Sequence, residues 1–162
     1  MFIILMASLA AVVAIVAIVV LAGQAGLFQS SAPADLGVRD GRLAAPKPTP
    51  NNVHSQADAF GAGFARTRID ALPLRGDGAA SIARVKAVLE TRPRTRIVES
   101  RGDYLRVEFT TKWMKFVDDA EFWFDPAAQV VQVRSASRVG HGDHGVNRQR
   151  IESVRERYLS AP

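Results

Sequence analysis

The residues with chemistry in them gather late in the chain, in the run Lys115–Arg150, KFVDDAEFWFDPAAQVVQVRSASRVGHGDHGVNRQR. Asp118, Ser135, Ser137, Arg138, Asn147 and Arg148 stand there among apolar neighbours. A carboxylate such as Asp118 set among apolar residues must find cationic or hydrogen-bonding partners, or it takes up a proton. Arg138, Asn147, Arg148 and Arg150 are the partners near in sequence. Two arrangements fit. One is a polar latch that ties the loop Gly140–Gly145 to a sheet, because buried ionic networks are often structural. The other is a small pocket where free N–H groups at a helix start and Arg148 hold an anion.

Other patterns are weaker. His141-Gly142-Asp143-His144 has metal-ligand residue types, but only His54 adds a third imidazole and the loop is Gly-rich, which falls short of a metal site. Ser137, His141 or His144, and Asp118 are the residue types of a hydrolytic triad without a nucleophile elbow. Gly76-Asp77-Gly78 is too short for a phosphate loop. With no cysteine there is no disulfide, thiolate nucleophile or Cys-type metal site. The reading is therefore a binding cluster with no catalytic residue, metal or cofactor assigned.

The elements that position this cluster follow from periodicity. Strand-like runs at Thr95–Ser100, Tyr104–Thr111, Lys115–Asp125 and Gln129–Val139 are separated by the turns Arg101-Gly102-Asp103 and Asp125–Ala128. A symmetric second turn sets Phe122 opposite Val133, Phe124 opposite Val131, Phe109 opposite Asp118 and Val107 opposite Ala120. One face then collects Val98, Leu105, Val107, Phe109, Phe116, Phe122, Phe124, Val131, Val133 and Val139. Two helices cover it: one from about Gly78 to Thr91 capped near Asp77, the other Asn147–Leu159 with Asp143 or Asn147 at its start. Thr67–Leu74 suits a short edge strand. The fold class is α+β, with an antiparallel sheet of about four to five strands.

The opposite face collects Arg106, Glu108, Thr110, Asp119, Glu121, Trp123, Gln132, Arg134 and Arg138. It reads as a solvated surface with cross-strand ion pairs such as Glu121 with Arg134. Trp123 among arginines has the makeup of an interface hot spot.

Ahead of the domain, Met1–Ala34 carries no charged side chain, so all 21 Lys and Arg and all 16 Asp and Glu lie beyond it. The first 22 residues alone make roughly 33 Å of helix, enough for a hydrocarbon core of about 30 Å. Neither Lys nor Arg precedes the run and it is long for a signal peptide, so residues 1–28 read as an uncleaved anchor in a bilayer. Residues 29–52, with Pro33, Pro46, Pro48 and Pro50, read as an extended tether, leaving 53–162 as the α+β domain. The net charge of +5 raises an anionic partner, but Arg is interleaved with Asp and Glu, with no basic stripe or base-stacking motif, which argues against nucleic acid. Asp35, Arg39, Asp40, Arg42 and Lys47 lie near the limit of the positive-inside window; where they count they favour a cytoplasmic domain, but only weakly, and charge alone does not settle the topology.

From Asp35 onward the chain resembles the bacterial and plastid family known as domain of unknown function 1499. The matching stretches include Asp35–Leu43, Pro50-Asn51, Ser55-Gln56, Arg94–Glu99, Asp103–Leu105, Phe116–Asp119, Glu121-Phe122, Phe124–Pro126, Val133–Gly140 and Gly145–Arg148. The resemblance implies the same fold and brings no established activity. Family members often carry a Cys pair where this chain has Pro46 and Asn52, and a Ser where it has His54; that habit implies an extracytoplasmic setting. Asp118, Arg134, Ser135, Ser137, Arg138, Asn147 and Arg148 lie within the matching motifs.

The leading expectation is a single-pass accessory protein of the bacterial inner membrane, its domain on the periplasmic side. It would bind another membrane protein or complex through the face around Trp123, Arg134 and Arg138. The alternative is a binding module or hydrolase for an anionic small molecule or lipid headgroup at Asp118, Arg138 and Arg148.

Overall fold

A computed structural model describes residues 2–160 of the chain. It opens with helix α1 (Phe2–Gln24), whose Ile3–Gln24 part is long and apolar enough to cross a membrane. Its most apolar window has no residue buried within the protein, and Gly23 near its end is buried against the domain. Two short strands, β1 (Val38–Arg39) and β2 (Arg42–Leu43), form a hairpin. Its turn is Asp40-Gly41, both with positive φ, as a two-residue primed turn requires. Next come β3 (Asn52–His54), 3₁₀ turns over Ala57–Phe60 and Ala62–Thr67, and β4 (Leu72–Pro73).

Helix α2 (Gly78–Glu90) starts where Asp77 accepts a hydrogen bond from the Ala80 amide at 2.7 Å. Strands β5 (Thr95–Ser100), β6 (Tyr104–Thr110), β7 (Val117–Asp125) and β8 (Val130–Ser137) follow, then helix α3 (Val146–Ser160).

The main sheet has six strands, all pairs antiparallel, in the order β3-β8-β7-β6-β5, with β4 also on β8. The expected class holds; β4 falls within the expected edge strand Thr67–Leu74, and the added strand β3 is three residues long, too short for an alternating pattern to show. The β7–β8 register is the expected one: Phe122 opposite Val133, Glu121 opposite Arg134. Its turn is held by Asp125, whose Oδ1 accepts from the amides of Ala127 and Ala128. Phe109 pairs with Asp118 and Val107 with Ala120.

On one face, Ile82, Val85 and Leu89 of α2 and Ile151, Val154 and Tyr158 of α3 pack on Leu105, Val107, Phe109, Phe122, Val131 and Val133. Gly78 lets α2 start against Phe124: a Cβ there would come within 2.1 Å of the ring. Three expected members of this face fall outside the core. A β-bulge between Ile97 and Glu99 turns Ile97 inward in place of Val98. Phe116 and Val139 lie beyond the strand ends and are half-buried.

The opposite face departs most from expectation. It is not solvated: Asp119, Glu121, Gln132 and Arg134 are buried, and Trp123 is only 7% exposed. The cover is residues 30–47, which lie across the sheet as a strap instead of hanging free as a tether. Leu43 is buried and packs with Tyr104 and Trp123. The strap doubles back in the β1–β2 hairpin, and its backbone and side-chain polar groups reach neighbouring acceptors and donors. Thus Gly37 N donates to Glu121, Leu43 N to Gln56, and Lys47 Nζ to the Ser137 carbonyl.

Candidate functional site

The candidate residues do not form one cluster, because the pleat sends them to both sides of the sheet. Under the strap, Glu121 Oε1 accepts from Tyr104 Oη at 2.8 Å and from Gly37 N at 2.6 Å, and its Oε2 accepts from Arg134 at 3.1 Å. Burial raises the Glu121 carboxyl above its usual range, opposed by the Arg134 guanidinium. Arg134 Nε is buried with no hydrogen-bond partner among the described residues. Beside it, His54 donates through Nε2 to the Ala44 carbonyl at 3.0 Å, while Nδ1 accepts from Gln56 N at 2.9 Å. That pattern requires the neutral ring, and burial lowers its pKa to about 4.

Arg138 lies on the same face, away from Asp118. It forks onto both Asp119 oxygens at 2.7 and 2.8 Å, reaches Glu108 at 2.5 Å, and donates to the Ser30 carbonyl of the strap at 2.9 Å. Burial pushes the Glu108 carboxyl up, but hydrogen bonds from Arg96 and Arg138 outweigh it and hold the group below its usual range. Trp123, expected to be an open hot spot, is part of this closed layer.

On the helix-covered face, Asn147 at the start of α3 joins the rest. Its Oδ1 accepts from Ser135 Oγ at 2.5 Å and from Arg150 at 2.9 Å; its Nδ2 donates to Ser137 Oγ, Asn51 O and Asp143 Oδ2. Asp143 also accepts from the Asn147 amide at 2.8 Å, so it caps α3. Burial alone would raise the Asp143 carboxyl, but these bonds hold it below its usual range.

Asp118 pairs with Arg150 at 2.7 Å, not with Arg138 or Arg148. Arg150 was near enough to count from the sequence, since it stands three residues after Asn147 and shares its helix face. Arg148 points elsewhere, to the carbonyls of Arg66 and Arg68. Asp118 and Ser137 also border a cavity of about 530 Å³ whose apolar wall includes Phe116, Val139 and Val146. The loop imidazole His144 reaches that cavity, and among the described residues no three His, Asp or Glu side chains converge on a metal position.

A third region carried no signal in the sequence pattern. The end of α1 rests on the β6–β7 connection. Gln24 Nε2 donates to the carbonyls of Lys112 and Trp113 at 3.1 and 2.6 Å. Gly23 packs so closely that a Cβ there would lie 2.8 Å from Met114 Cα. The Phe28 and Phe116 rings meet at 5.9 Å. Trp113, 59% exposed, carries Lys112 Nζ 4.6 Å above its ring.

A family model described as protein of unknown function (DUF1499) matches residues 42–157. The chain belongs to that family. The DUF1499 match starts on the strap at Arg42 and takes in both helices of the domain, while α1 precedes it. No curated protein and no solved structure matches the chain.

Proposed function

We propose that this DUF1499 protein is a single-pass accessory protein of the bacterial inner membrane that presents its domain on the periplasmic side to another membrane protein or assembly. The observation that carries this reading is the junction of α1 with the Lys112–Phe116 loop. A helix able to span the bilayer ends in contact with the domain. The domain is then seated at the membrane surface in a defined orientation, which suits binding to a neighbour in the same bilayer.

The surface offered cannot be the one around Trp123, Arg134 and Arg138, which the strap covers. The membrane-proximal end, with exposed Trp113 and its flanking lysines, is the better candidate. Full-length tagged chain, extracted in mild detergent and purified, is expected to elute with a stoichiometric membrane protein. Gly23→Leu, which wedges α1 off Met114, is expected to weaken that association without lowering the melting temperature of the domain. A monodisperse, partner-free monomer would contradict the reading.

The alternative, a module for an anionic small molecule or lipid headgroup, keeps support in altered form. Arg138 and Arg148 leave the Asp118 cluster and Arg150 enters it, next to open space.

A further inference from the structure

A second cavity of about 310 Å³ adjoins the first, on the other side of Thr111 and Val146. Among the described residues that line it, four are cations, Arg92, Arg94, Lys112 and Arg150, and none is a carboxylate. Elsewhere this chain interleaves its charges, so the concentration is local. Arg150 lies 4.6 Å over the Phe109 ring, which fixes it as part of the floor. Arg92 is held by Ser153 at 3.0 Å; burial and the like charges of Arg157 and Arg150 lower its pKa, so an anion there would relieve the repulsion. Arg94 and Lys112 are exposed at the rim.

The position matters as much as the charge. Lys112 is the residue whose carbonyl accepts from Gln24, the last residue of α1. The cleft therefore opens beside the end of the proposed span, and next to it stands exposed Trp113, a residue type that favours the headgroup layer.

We infer that the cleft formed by Arg92, Arg94, Lys112 and Arg150 binds the phosphate of an anionic phospholipid headgroup, with Trp113 seated beside it in the bilayer interface. This rests on the proposed anchor and names the ligand class of the membrane-proximal end. The lipid needs no covalent change. Arg150 already has Asp118 as its counter-ion, so the phosphodiester answers chiefly the charges of Arg92, Arg94 and Lys112, and each cation at such a surface strengthens the association several-fold.

The test uses the full chain in nanodiscs of phosphatidylcholine and phosphatidylglycerol mixed equally, released for native mass spectrometry. Phosphatidylglycerol is expected to be retained in preference. Arg94→Glu with Lys112→Glu should cut the retained ratio by about tenfold or more. Arg39→Glu with Arg42→Glu, the same charge change on the hairpin of the strap, should leave it unaltered. Arg94 and Lys112 are exposed, and a thermal melt confirms that their variant folds. Equal retention of the two lipids, or equal loss in both variants, would overturn the proposal. Inorganic phosphate that strips phosphatidylglycerol from the detergent-solubilised chain would reassign the cleft to free phosphate and overturn the lipid assignment. A chain that washes off membranes in carbonate contradicts the anchor itself, whereas one that stays bound without lipid preference contradicts only the headgroup site.

Discussion

Phe122 and Glu121 are neighbours in β7, point to opposite sides of the sheet, and are both fully buried. Phe122 is sealed by two helices that offer Val85, Leu89, Ile151 and Val154. Glu121 is sealed by a strap that offers one backbone amide, with Tyr104 and Arg134 supplying the rest. Apolar burial tolerates many arrangements because it is non-directional. Buried charge tolerates few, because each oxygen must meet a donor. The second face is thus closed by a set of specific bonds, several of which end on residues 30–47.

This contrast can be tested at the pair itself, where the largest effect is expected. Glu121→Ala leaves Arg134 buried without a counter-charge and should cost about 3–5 kcal/mol in denaturant melts. It should also expose the strap to proteolysis near Arg39 and Arg42. Phe122→Ala should cost a similar 3–5 kcal/mol through a cavity. The two differ in rescue: Glu121→Leu with Arg134→Met should recover most of the loss, since well-packed apolar replacements of buried ion pairs are often neutral. A cost under about 1 kcal/mol for Glu121→Ala, as for an exposed pair, would show that the face is open.

A smaller effect belongs to His54, which is also under the strap. The unfolded ring takes its proton near 6.5, the folded one only near 4. Between those values the unfolded chain binds more protons, so stability falls as pH drops through the window. The loss contributed by this one group reaches about 3 kcal/mol at the acid end. His54→Gln should remove that part of the slope in melts compared between neutral and acid pH. An unchanged slope would mean the ring is not buried neutral.

The smallest effect is at the edge of the helix-covered face. Asp143→Ala removes the acceptor that caps α3 and should cost about 1 kcal/mol in thermal melts, with both sheet faces intact.

The same contrast explains what the sequence could reveal. Register and helix placement were legible because Leu105, Val107 and Phe109, then Phe122 and Phe124, then Val131 and Val133 recur with period two, and Ile151, Val154 and Tyr158 with helical spacing. Glu121 opposite Arg134 was legible from that register too. That the pair is buried was not. A run such as Gln29–Asn52 has no period of its own, and its prolines read as a tether whether it hangs in solvent or lies on a sheet. The candidate site suffered from the same ambiguity. Arg138 and Arg148 are close to Asp118 in motif order, but the pleat and the helix turn carry them away, and Arg150 takes the place. The Lys112–Lys115 loop and its bond to Gln24 join residues that no local pattern connects.

The most direct test of the whole arrangement uses the two tryptophans. Full-length chain is placed in bilayers containing lipid brominated near the headgroup, once with Trp123→Phe and once with Trp113→Phe. Trp113 should be quenched by the lipid bromine, and Trp123 should respond neither to bromine nor to acrylamide in the water. Trp113 quenched only from the aqueous side, or Trp123 open to acrylamide, would contradict the account of a domain seated on the membrane with its charged sheet face sealed.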